Sequence, residues 1–184
     1  MVMKLYTAPD DISETRKIKG NYDFKVFLGG SIEMGKAVDW QNEVVDYFKH
    51  QDRLVLFNPR RPDWDSTWKQ DPTPGTPFHE QVNWELDALN DSDYVLFYFD
   101  PNTVSPITLL ELGIYSQHKD KVIVVVCPPD YFRYGNVKIV CNRERLIHFT
   151  SLKPALEWLG TDIHDVIALS DPDYEEKQLK PLEK

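Results

Sequence analysis

The chain has 184 residues, 41% of them hydrophobic and 28% charged, with a formal net charge of -9 and a sequence pI near 5.0. These values fit a single soluble globular domain with an ordinary core. They argue against a nucleic-acid partner, because neither a basic field nor a Lys/Arg stripe is present to attract a phosphate backbone. No apolar run reaches the roughly 18 residues of a membrane span, and MVMKLYTAPDD has no signal-peptide core. The expected setting is cytoplasmic and off the membrane. Cys127 and Cys141 lack metal-ligand spacing and companion histidines, and read as buried free thiols.

Residues 1–21 are polar and mixed, and read as a surface arm. KVFLGGSI, Lys25 to Ile32, is an apolar run ending in a tight Gly-Gly-Ser turn, the pattern of a buried strand that delivers a ligand-facing loop. Val38, Val44, Val45 and Phe48 fall near helical spacing over residues 37–50. RLVLFNP, Arg53 to Pro59, is a second strand stopped by Asn-Pro. Residues 60–77, RRPDWDSTWKQDPTPGTP, form a long aperiodic loop, and long loops in compact domains tend to be functional.

Val82, Leu86 and Leu89 predict a helix over residues 78–89. YVLFYF, Tyr94 to Phe99, is a continuous apolar strand. Pro106 can open the next helix, which runs to about His118. KVIVVVC, Lys121 to Cys127, has the continuous β-branched run of a strand buried on both faces. RLIHF, Arg145 to Phe149, is a further strand. Ser151 can cap a last helix to Leu159, with Gly160 just past its end. Residues 161–184 read as a C-terminal extension.

Alternating strands and helices imply an α/β fold: a flavodoxin-like, three-layer arrangement with a five-stranded parallel sheet, spanning residues 22–160. Ligands in such sheets bind beyond the carboxyl ends of the strands. The segments to interrogate are therefore GGSI, NPRR, FDPNTVSP and CPPDYFRYGN.

Gly29, Gly30, Ser31 and Gly35 do not have the spacing of a dinucleotide fingerprint. The turn does allow close backbone approach to a ligand. Glu111, in SPITLLELG, lies more than one turn into its helix among Leu109, Leu110, Leu112, Ile114 and Tyr115. Spacing leaves two readings open, an exposed helical glutamate or a buried functional carboxylate. A carboxylate in apolar surroundings must be paired or functional, because burial disfavours its charge. Nucleophilic glutamates trap oxocarbenium-like centres in glycosyl transfer. Glu85, on the preceding helix, can complete a carboxylate pair. Glu80 and Asp87 read as solvated, and His79 and His118 as surface or loop histidines.

The order LGGSI, NDSDYVLFYF, SPITLLELG and VVVCPPDYFRYGNV resembles the nucleoside 2-deoxyribosyltransferase superfamily, over about residues 25–159. It is similar in particular to the branch carrying GSI, ELG and GNV motifs. The resemblance implies that Glu111 is the nucleophile, attacking C1′ of a 2′-deoxynucleoside and displacing the base. A second free nucleobase then attacks the covalent intermediate, with net retention. Glu85 falls where the family has an aspartate that handles protons at the base, here one methylene longer.

Asn136 matches an asparagine that contacts the sugar in a neighbouring subunit's site, which implies a homo-oligomer with shared sites. Gly29, Gly30 and Ser31 match the turn that lines the pocket, and Asn58 the loop after the second strand. No cofactor or metal is implied. Two positions depart from the transferases. Phe27 replaces a tyrosine whose hydroxyl touches the nucleophile. Ser105 replaces an aspartate that holds the sugar 5′-hydroxyl, and in the related 2′-deoxynucleoside 5′-phosphate N-hydrolases a serine here binds phosphate. Transfer is the leading reading. Hydrolysis of a 5′-monophosphate and a non-catalytic nucleotide-sensing module are the alternatives. Trp64 and Trp68 are candidates to stack on a bound base.

Overall fold

The computed structural model describes residues 3–17, 24–32, 37–65, 67–171 and 174. Parts of the expected N-terminal arm and C-terminal extension, and Gly35 after the first glycine turn, lie outside the described residues.

Strands β1 (Lys4–Thr7), β2 (Phe24–Gly30), β3 (Leu54–Asn58), β4 (Tyr94–Tyr98), β5 (Val122–Val126) and β6 (Ile147–Phe149) form one sheet in the order β1-β3-β2-β4-β5-β6. Every pairing is parallel. The inner order is the flavodoxin-like one, and the expected count of five strands is corrected to six. The extra strand comes from the segment read as a surface arm. KLYT is too short to carry a period, and it gains strand geometry only by adding to the β3 edge, where Lys4 to Thr7 pair with Val55 to Asn58.

Helices α1 (Trp40–Phe48), α2 (Pro77–Asp91), α3 (Pro106–Tyr115), α4 (Tyr134–Glu144) and α5 (Leu152–Ser170) cover both faces. Strand side chains alternate between two cores. Phe27, Val55, Phe57, Val95, Phe97, Ile123 and Val125 face α2, α3 and α4. Val26, Leu28, Leu54, Leu56, Leu96, Val124 and Val126 face α1 and α5. Both candidate carboxylates ride on helices of the first face.

Three helices differ from their sequence expectations. The buried face of α2 is Gln81, Trp84, Ala88 and Leu89 rather than Val82 and Leu86, because Trp84 reaches across to donate its Nε1–H to the Asp10 carbonyl (2.8 Å). Helix α4 forms where the sequence reading places no helix; only Val137 and Cys141 of it are buried, so its apolar signal is weak. Helix α5 continues past Gly160 because Ile163 and Ile167 extend its buried stripe.

Candidate active site

The carboxyl ends of β2 and β4 are pressed together by glycine. A Cβ on Gly30 would lie 2.5 Å from the Tyr98 carbonyl oxygen and 2.7 Å from the Trp40 ring. One on Gly29 would lie 2.8 Å from Phe97 and 3.2 Å from Phe27. Only glycine permits this approach, and it delivers Ser31 directly to the loop that follows β4. Ser31 is held firmly there. Its N–H donates to the Tyr98 carbonyl (2.9 Å), and its carbonyl accepts from Trp40 Nε1 (3.1 Å).

The Ser31 hydroxyl sits in a buried hydroxyl cluster. It accepts from the Asp100 N–H (2.8 Å) and from Thr103 Oγ1 (2.8 Å), and it pairs with Ser105 Oγ. Thr103 Oγ1 lies 2.7 Å from Ser105 Oγ. Ser105 is the residue preceding α3, and it adopts a left-handed conformation with φ 48°. Its side chain does not cap the helix. Non-glycine residues rarely hold this backbone, and they do so where the surroundings over-determine it. Here Tyr131 helps to fix the adjacent chain, its hydroxyl donating to the Val104 carbonyl (2.8 Å). Ser31 and Ser105, candidates from the sequence, therefore meet. Thr103 was missed, because a threonine between Asn and Val carries no spacing signal.

Glu111 is 7% exposed, on the buried side of α3 with Thr108, Leu112 and Tyr115. The exposed-helix reading is thereby set aside. Burial pushes its carboxyl up to about 8, assisted by the negative charge of Glu85. Glu85 is half-buried on α2, and burial raises it to about 7 against the opposing pull of a hydrogen bond from Gln81. Repulsion between the two is mutual: the charge on either one makes the other harder to ionise.

Phe27 is 1% exposed and belongs to the core beneath the site, with no hydroxyl to offer. Tyr115, one turn on from Glu111, has one, but it donates to Asn90 Oδ1 (2.8 Å). Asn58 is buried at the end of β3, and its Oδ1 accepts from the Arg60 N–H (2.9 Å). Asn136 is exposed on α4. Glu80, Asp87 and His118 are exposed, while His79 is half-buried with its ring beside Asn83 (3.1 Å). Trp64 and Trp68 lie 5.1 Å apart, and the Arg61 guanidinium sits 4.8 Å from the Trp68 ring. Among the described residues no group of three or more His, Cys, Asp or Glu is placed to hold a metal ion, and no helix is long and apolar enough to cross a membrane.

Glu85 on α2 and Glu111 on α3 are electrostatically coupled on one face of the parallel sheet, and sheets of this kind bind small ligands beyond their carboxyl edge. Residues 23–131 match the family described as nucleoside 2-deoxyribosyltransferase like, and the chain belongs to that family. The matched span contains Phe27, Gly29, Gly30, Ser31, Asn58, Glu85, Ser105 and Glu111, and ends before Asn136. Family membership points to an enzyme acting on nucleosides. The fold is similar to that in the crystal structure of a conserved protein from Enterococcus faecalis V583, with a TM-score of 0.52 and 11% identity, over 73% of this chain and 95% of that one. No curated protein matches the sequence.

Proposed function

We propose that this protein exchanges the base of 2′-deoxynucleosides through a deoxyribosyl ester on Glu111. The observation that carries the reading is the burial of Glu111 on α3, 7% exposed and coupled to Glu85 on α2, within a chain of the nucleoside 2-deoxyribosyltransferase-like family. Between about 7 and about 8 the pair holds roughly one proton. The reactive form has Glu85 protonated and Glu111 ionised. Both carboxyls are raised into the same range, which suits a proton that shifts between them as positive charge develops at C1′. Glu111 then bonds to C1′ as the C1′–N bond breaks, and Glu85 protonates the departing base. The incoming base loses its proton to Glu85 as it displaces Glu111, which restores the anomeric configuration. Oligomer formation with Asn136 completing a neighbour's site belongs to the same proposal. It is supported by the exposure of Asn136 on a helix that also exposes Ile139 (68%).

A second reading, hydrolysis of a 2′-deoxynucleoside 5′-monophosphate, is favoured by the Ser31, Thr103 and Ser105 hydroxyls at the start of α3. Neutral hydroxyls at a helix N-terminus suit a phosphate better than an aspartate does. One pair of incubations separates the two readings. Deoxyinosine with adenine yields deoxyadenosine if the protein transfers. Base release from deoxynucleoside monophosphates alone overturns transfer in favour of hydrolysis. A protein that binds nucleotides but turns over neither substrate is the sensing module.

A further inference from the structure

We propose that Gln81 is the positioning residue for Glu85: its side-chain amide pins one carboxylate oxygen, so that the other carries the transferable proton. This rests on the proton-handling role proposed for Glu85. Gln81 is 4% exposed, on the same face of α2 one turn before Glu85. Its Nε2 group makes two hydrogen bonds, to the Pro59 carbonyl (2.9 Å) and to Glu85 Oε1 (2.8 Å). Both partners are acceptors, so the NH2 end of the amide must face them and the amide cannot flip without losing both. Gln81 Oε1 faces Arg61 NH1 at 3.5 Å. The Arg61 guanidinium is in turn held by Asp63, at 2.7 Å and 2.8 Å.

The bond to Pro59 ties Gln81 to the residue that immediately follows β3, next to Asn58. The bond to Glu85 transmits that restraint to a long, flexible side chain. An amide N–H donates to a carboxylate and, more weakly, to the carbonyl oxygen of a carboxylic acid, so both protonation states of Glu85 accept it. It stays in place as Glu85 alternates between acid and base, and it excludes a proton from Oε1. Base exchange needs the same oxygen to give up a proton and then take one back, so fixing which oxygen does so removes a source of misalignment. Glu111 on α3 is electrostatically coupled to Glu85, and Arg61 lies on the far side of the Gln81 amide.

Two measurements test this. In the unaltered protein, the Gln81 side-chain amide protons, followed by NMR, should shift with pH along the same titration as the Glu85 carboxyl. They should lose that response in Glu85→Gln. This readout does not depend on turnover, so it stands apart from the success or failure of the proposed reaction. In the Gln81→Met variant, kcat for base exchange should fall by about tenfold or more, with KM within about twofold of wild type. The same substitution in a Glu85→Gln background should add nothing further. Amide protons blind to Glu85, an unchanged kcat, or an equal loss in both backgrounds would each overturn the proposal.

Discussion

Burial holds Glu111 at about 8 and Glu85 at about 7, both above the ordinary 4.5 of a glutamate. Between pH 4.5 and those values the folded protein binds protons that the unfolded chain has released. Stability is therefore greatest below 4.5 with respect to this pair, and it falls as pH rises through 7 and 8. Glu111→Gln removes a buried charge that costs the fold on the order of a few kcal/mol at high pH. The variant should melt several degrees above wild type at pH 9 and match it near pH 4, in thermal denaturation followed across pH. Its turnover should fall by about a thousandfold or more. A second residue-scale prediction concerns Ser105. Ser105→Asp places a carboxylate among the Ser31 and Thr103 hydroxyls. Any activity on 5′-monophosphates should drop sharply by like-charge repulsion, while kcat/KM for deoxynucleosides drops far less.

Among the elements, the loop from Arg60 to Pro77 is organised around one side chain. Arg61 pairs with Asp63, lies over Trp68 and reaches Gln81 on α2. Arg61→Ala should release the two tryptophans, which should then respond less to ligand. Fluorescence titration with a deoxynucleoside is expected to show quenching in wild type and a weaker, right-shifted response in the variant. Elements with an unbroken apolar run were legible in the sequence. The runs at Leu54–Asn58, Tyr94–Tyr98 and Val122–Val126 became central strands because their residues are apolar on both faces. Glu111 could be singled out because leucines flank it. Gln81 could not, because a polar residue on the buried face of α2 subtracts from the apolar signal that would have marked that face. Strand β1 is set by its partner rather than by its own four residues, and α4 by two buried positions.

At the scale of the whole molecule, α3 presents Ile107 (58%), Leu110 (58%) and Ile114 (47%) to solvent along one stripe, although its other side holds Glu111. Phe132 (53%) and Ile139 (68%) are exposed on and beside α4. Exposed apolar side chains on the helix that carries the proposed nucleophile, and on the helix that carries Asn136, suit a second copy of the chain. Sedimentation should show an assembly larger than a monomer. Leu110→Glu should shift it toward monomer and lower activity, and mixing that variant with Asn136→Ala should not exceed the activity of either alone.

The proposed covalent step on Glu111 is most directly tested by trapping. A 2′-deoxy-2′-fluoroarabinosyl nucleoside carries a fluorine that destabilises the oxocarbenium-like centre and slows release of the sugar from the enzyme. Mass spectrometry of the digested protein should show the sugar ester on the peptide containing Glu111. Base release with the adduct on another residue, or with none, would contradict the account.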